Sequence, residues 1–184
     1  MEPDRVPGGT LTVAAVPIGD PGDASPRLTA ALAAATLIAA EDTRRVRRLA
    51  AALRIPLSAR LVSYYDDVEA RRVPALLAEL QGGNDILMVT DAGLPGVSDP
   101  GYRLVAAASD AGLPVTVLPG PSAVTAALVV SGLPTDRFLN VNWAMGNSSG
   151  IRSGLSVSRV MSPPSQITRS TVMAASAPGR PDSA

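Results

Sequence analysis

Acids and glycines gather at five places in the sequence, each at the end of a short apolar run. The richest, TDAGLPGVSDPG at residues 90–101, holds three glycines, two prolines and two aspartates. Glycine lets backbone amides and carbonyls come close to a ligand. Asp91, at the tip of the run DILMV, is placed to accept ribose hydroxyls or an amino group. The plainer reading is a turn in which Asp99, ahead of Pro100, caps the helix that follows. PIGDPGD, residues 17–23, has glycines spaced G-x-x-G, which is not the dinucleotide fingerprint. Asp20 and Asp23 would repel a phosphate there, so an uncharged or cationic ligand suits the loop better.

EDTRRVRR, residues 41–48, combines two acids with four arginines. On a helix Arg44 and Arg48 share a face and Arg45 lies beside Arg48. Such runs serve either as a solvated face laced with ion pairs or as a phosphate-contacting patch for RNA, which suits the arginine fork. SYYDD, residues 63–67, sets two tyrosines before two aspartates. One tyrosine is expected to pack, and the other is free to stack on a base. PGPSA, residues 119–123, is the fifth place.

What is missing narrows the chemistry. There is no cysteine and no histidine, and all 16 basic residues are arginine. Thiol nucleophiles, zinc–thiolate sites, histidine triads, Schiff bases and a P-loop lysine are therefore excluded, and no metal is expected. Proton transfer is left to Asp, Glu, Tyr or water. The 16 acids balance the arginines, so RNA contact has to come from a local patch rather than an overall basic charge. No apolar run reaches membrane-spanning length, and the start, MEPDRVPGGT, lacks signal-peptide architecture. A cytoplasmic protein is the expectation.

The elements that must position these residues follow from pattern. After a loose end over residues 1–9, TLTVAAV, LIAA, ARLVSYY, ILMVT and VTVLPG read as strands. Between them lie helical patterns: SPRLTAALAAA with Ser25 as N-cap and Pro26 first, TRRVRRLAAAL capped by Asp42 or Thr43, and VEARRVPALLAELQGG. The last is interrupted or started at Pro74 and stopped by Gly82 and Gly83. YRLVAAASDAG and SAVTAALVVSG complete the set, the latter capped by Ser122 and closed by Gly132. The strands are continuously apolar, which predicts burial on both faces. The fold class is thus α/β: a five-stranded, mostly parallel sheet flanked by helices. Ligands of such sheets sit beyond the carboxyl ends of the strands, near a switch in strand order, and the five acid- and glycine-rich places are those ends.

Past Phe138 the character changes. Residues 140–184 hold ten serines, four prolines and a single acid, Asp182, without a sustained period. Such a stretch is expected to be a low-complexity, disordered tail following an α/β domain over residues 10–139.

Taken together, VPIGDPGD, LIAAEDTRR, VSYYDD, VTDAGLPGVSDPGYRLV, VLPGPSAVTAAL and SGLPTDRF resemble the ribosomal RNA small subunit methyltransferase I family, of the tetrapyrrole-methylase-like class. The resemblance covers residues 10 to about 139. It implies the N-terminal domain of an S-adenosyl-L-methionine-dependent enzyme that methylates the 2′-hydroxyl of a cytidine in 16S rRNA of the 30S subunit. It also implies a homodimer and a donor bound between two domains. By matching position, Asp91, Ala92, Gly93 and Leu94 line the cofactor, with Ser98 and Asp99 on one side and Ser122 and Ala123 on the other. Glu41 and Asp42 are the catalytic candidates. Arg44, Arg45, Arg48 and Tyr65 face the RNA. An acidic, glycine-rich cleft suits a sulfonium cation.

The sequence departs from the family in two places. Tyr65, Asp66 and Asp67 stand where relatives tend to carry histidines. The family pattern also stops at FLNVNWAMGNSSG, where a second domain would begin; out-of-frame translation or truncation would account for the break, and activity is then expected to be impaired. Two further readings stand beside this one: a precorrin-type tetrapyrrole methylase with the same fold and donor, and a non-catalytic remnant.

Overall fold

Ser25 accepts the amide of Leu28 at 3.1 Å, and Pro26 follows with its φ already set for a helix. That cap starts α1 (Pro26–Ala34) at the expected residue. The same economy recurs along the chain. The computed structural model describes residues 8–96, 100–133 and 135. Its elements are β1 (Leu11–Ala14), α1, β2 (Leu37–Ala40), α2 (Thr43–Ala52), β3 (Arg60–Ser63), α3 (Asp66–Gln81), β4 (Ile86–Val89), α4 (Tyr102–Asp110), β5 (Val115–Leu118) and α5 (Ala123–Val130). The chain forms two units, Met1–Ser122 and Ala123–Ala184. The first holds the whole sheet. Of the second, α5 is described, followed by Gly132 in the left-handed region at φ 68°. The serine-rich stretch expected to be disordered lies outside the described residues.

The five strands form one parallel sheet in the order β3-β2-β4-β1-β5. Alternate residues of each central strand serve opposite faces. Leu11, Val13, Leu37, Ala39, Ile86 and Met88 pack with Leu76 and Leu80 of α3 and with Leu104 and Ala108 of α4. On the other side, Ala14, Ile38, Ala40, Leu87 and Val89 pack with Leu28 and Leu32 of α1 and Val46 of α2. Three layers result, and they explain why LIAA and ILMV are apolar throughout. Each fully buried leucine contributes roughly 1.5–3 kcal/mol relative to exposure.

The expectation of burial on both faces fails at the margins. In β5, Val115 and Val117 are 37% and 47% exposed, and no residue of β3 is fully buried. Both strands are the edges of the sheet, so apolar composition alone could not separate them from the centre. Pro74 neither starts nor interrupts α3, which begins at Asp66 and runs straight through it. Ala70, whose carbonyl loses its partner there, is exposed, as is Pro74, so water can satisfy the freed oxygen. Gly9, counted with the loose end, is buried. Its N–H donates to the Leu80 carbonyl at 2.7 Å, and a Cβ there would lie 2.1 Å from the Asn84 carbonyl oxygen. Among the described residues no helix is long and apolar enough to cross a membrane, and no cluster of metal-ligating side chains occurs.

Candidate functional site

The chain steps from β1 to β2 to β3 in one direction and returns through β4 to β5 in the other. Its helices therefore divide between the two faces, α1 and α2 on one and α3 and α4 on the other. The switch lies between β1 and β4, neighbours whose following loops leave toward opposite faces. Just beyond, Val16 and Gly93 form an isolated antiparallel bridge: Val16 N–H donates to Gly93 at 2.8 Å and Gly93 N–H to Val16 at 3.1 Å. Gly93 has φ 79°, a conformation that favours glycine. Val16, one partner of this bridge, lines a hollow of about 430 Å³ on the α1/α2 side.

Pro17, Ile18 and Gly19 from the first loop line the hollow, as do Thr90, Asp91 and Ala92. Arg45, Val46, Arg48 and Leu49 of α2 and Leu32 of α1 line it as well. The first loop keeps its shape by its own means: Asp20 accepts the amide of Gly22 at 2.8 Å and caps a short 3-10 turn over Pro21–Asp23.

Beside the hollow, the carboxyl ends of β2 and β4 exchange hydrogen bonds. Glu41 Oε2 accepts the Thr90 hydroxyl and, at 3.1 Å, the Asp91 amide. Asp91 Oδ1 in turn accepts the Asp42 amide at 3.1 Å, and its Oδ2 lies 3.2 Å from Arg45 Nε. Burial and then the charge of Glu41 raise the affinity of Asp91 for a proton above that of an ordinary aspartate. Asp42 is the opposite case. It caps α2 by accepting the Arg44 amide at 2.8 Å, and it takes both Nε and Nη2 of the Arg44 guanidinium. These bonds, the side-chain ones first, draw its pKa down to about 2. A carboxylate held that low is a poor proton acceptor, which counts against Asp42 as a general base.

The structure thus brings Glu41, Asp42, Arg45, Arg48, Asp91 and Ala92 to one side of the switch point. It does not bring all the expected residues there. Leu94 packs against the core under α3 and α4 rather than facing the hollow. Arg44 is 78% exposed in its side chain and bound to Asp42. Tyr65 is 42% exposed at the start of α3 and does not line the hollow, while Tyr64 is the tyrosine that packs. Ser122 closes the first unit and Ala123 opens α5 in the second. Ser98 and Asp99 lie outside the described residues. The start of α4 is Tyr102, and the carboxylate of Glu69 accepts the amides of Gly101 and Arg103 there.

Two residues that support the site were not anticipated. Thr90, 4% exposed, ties Glu41 to the end of β4. Glu69, 7% exposed, holds Tyr64 and α4 together. Spacing carried a signal for the second. Glu69, Val73, Leu76 and Leu80 follow the helical stripe i, i+4, i+7, i+11, so an acid stands where the core face requires an apolar residue.

Residues 10–158 match the family described as Tetrapyrrole (Corrin/Porphyrin) Methylases. Among curated proteins, the chain is 57% identical over 147 residues to ribosomal RNA small subunit methyltransferase I of Mycobacterium tuberculosis (strain CDC 1551 / Oshkosh), covering 80% of this chain and 52% of that protein. It is 47% identical over 131 residues to the protein of the same name from Synechocystis sp. (strain ATCC 27184 / PCC 6803 / Kazusa), covering 71% and 46%. The chain therefore spans about half the length of the curated relatives it matches. Among solved structures, a conserved hypothetical protein from Aeropyrum pernix K1 superposes with a TM-score of 0.57 at 23% identity, covering 71% of this chain and 45% of that one. Uroporphyrin-III-C-methyltransferase from Thermus thermophilus does so with 0.51 at 23% identity, covering 68% and 53%. These two likenesses concern the fold alone.

Proposed function

The chain belongs to the tetrapyrrole methylase family, and from that premise we propose that the hollow at its switch point takes S-adenosyl-L-methionine. We further propose that the methyl group is delivered to the ribose 2′-hydroxyl of a cytidine in 16S rRNA of the 30S subunit. One observation carries this reading. Loops far apart in sequence, Pro17–Gly19 and Thr90–Ala92, line one hollow, and Asp91 in that lining is hydrogen-bonded into a group with Glu41 and Asp42. A sulfonium cation gains from that acid, and the apolar lining of Val16, Leu32 and Leu49 suits the carbon skeleton of the donor. Gly19 and Ala92 line the hollow without bulk.

The donor's methyl group is already activated, so the catalytic work is alignment and the removal of the hydroxyl proton. With Asp42 engaged by Arg44, Glu41 and Asp91 are the carboxylates left to assist that removal. Arg45 and Arg48, with Arg44 further out, offer guanidinium groups to the phosphates of an RNA strand. Cofactor contacts from Ser98, Asp99, Ser122 and Ala123, RNA stacking by Tyr65, a cytoplasmic location and a homodimer are part of the same proposal and rest on the sequence resemblance alone.

Calorimetry of the chain with S-adenosyl-L-methionine is the first test. Saturable binding is expected, and it should be lost in Ala92→Trp, whose indole fills the hollow from an exposed position. Labelled donor with 30S subunits is the second. Methyl incorporation should appear as a single block to alkaline cleavage at a cytidine, and Arg48→Glu should weaken it. No heat at millimolar donor and no incorporation would reduce the chain to a non-catalytic remnant. Methyl transfer to a porphyrinogen instead of RNA would move the substrate assignment to the tetrapyrrole enzymes.

A further inference from the structure

Glu69 is a buried carboxylate that methyl transfer, as outlined above, does not use. It sits in the first turn of α3, yet its hydrogen bonds go to two other parts of the chain. One oxygen, Oε1, accepts the Tyr64 hydroxyl at 3.0 Å, the Gly101 amide at 3.0 Å and the Arg103 amide at 3.3 Å. The other, Oε2, lies 3.4 Å from Arg103 Nε. Gly101 and Arg103 carry two of the free amides that any helix leaves at its N-terminus. The N-cap residue of α4 is Gly101, which has no side chain to offer as a cap.

Nor could that position hold a capping side chain. Gly101 has φ 145°, and a Cβ there would lie 3.1 Å from both the Gly96 nitrogen and the Met88 methyl. The backbone of Gly96 is thus pressed against Gly101, and a few residues earlier Gly93 is bridged to Val16. The stretch Thr90–Ala92 is held at its start by Glu41 and at its end by that bridge. Beyond the bridge the chain runs through Gly96, beside Gly101, which Glu69 holds from 32 residues earlier in sequence.

We propose that Glu69 is a positioning residue for the donor hollow: by clasping the start of α4 to the end of β3, it steadies the stretch Gly93–Gly96 and through it the lining at Thr90–Ala92 that the donor lies against. The proposal rests on the hollow being the donor site. It differs from simple capping in that its effect must reach Gly93, which has no bond to Glu69. It differs from a charge requirement in that the three donors converge on a single oxygen, which glutamine also possesses.

Amide exchange of the whole chain tests it in Glu69→Ala, Glu69→Asp and Glu69→Gln. In the Ala and Asp variants the Gly93 amide should exchange about tenfold faster, along with Gly101 and Arg103, while the amides of β1 and β2 keep their protection. Glu69→Gln should restore Gly93 to within about twofold of wild type. Affinity for S-adenosyl-L-methionine should follow the same order: reduced about tenfold in Ala and Asp and nearly unchanged in Gln. Loss of protection confined to Gly101 and Arg103 would leave Glu69 a mere helix cap. Equal loss in every strand would make it a contributor to general stability. Either result overturns the proposal. Should Ala unfold the chain, the contrast between Asp and Gln decides, since both keep an acceptor but only Gln keeps the reach. If the wild type binds no donor, the functional reading falls, and the Gly93 amide still decides whether the clasp exists.

Discussion

Asp42 and Asp91 show how one residue type takes opposite characters a few ångströms apart. Arg44 holds the Asp42 carboxyl at a pKa of about 2, against an ordinary value of 3.8. A pKa depressed by folding contributes stability that is complete above the unfolded value and disappears as pH falls through the folded one. Wild type should therefore melt higher than Asp42→Asn above about pH 4, and the two melting temperatures should converge as pH falls towards 2. Asparagine still accepts the Arg44 amide, so the difference isolates the charge. Scanning calorimetry across that window is the measurement. Asp91 works the other way: burial raises its pKa, so the fold holds that proton better than the open chain, and ionising it costs stability as pH rises above 3.8. The residue types at the site were legible in the sequence, because acids at strand tips stand out against apolar runs. Their pairings were not. Glu41 meets Thr90 across 49 positions and Glu69 meets Gly101 across 32, and nothing local to either partner announces the other.

Helix α3 is the element where local rules were overridden. Its first turn carries Asp66, Asp67 and Glu69, which suit the positive end of the helix dipole. Pro74 then sits in its interior, normally a reason to end a helix. The packing of Leu76 and Leu80 into the core carries the helix past it. Because Pro74 and Ala70 are both exposed, Pro74→Ala removes no packing and restores a backbone bond. It should stabilise the chain by about 1–3 kcal/mol in urea unfolding, less than the full helix penalty of proline because proline also stiffens the unfolded chain. A neutral or destabilising result would mean that the ring packs against something here. At this scale the sequence was most informative: Ser25 and Pro26 marked the start of α1 to the residue, Asp42 was one of two caps offered for α2, and five apolar runs marked five strands. The exposure of β3 and β5 was hidden, since valine and leucine read alike at an edge and in the centre.

The alternation of strand and helix implied a parallel sheet, but the order β3-β2-β4-β1-β5 could not be read, because LTVA, LIAA and ILMV are interchangeable as apolar runs. That order bears on how the molecule comes into being. The strand that leads the chain, β1, lies between the two that close it, β4 and β5. During synthesis it must wait for neighbours roughly 70–100 residues behind, about 4–20 s at ordinary elongation rates. Until then Leu11 and Val13 have no sheet to join. Nascent chains halted at Gly83 should be cut readily within β1, and those halted well beyond Leu118 should resist; equal resistance at both lengths would show that the strand finds shelter earlier. Its first refuge is then outside the chain, in whatever guards newly made polypeptides from one another.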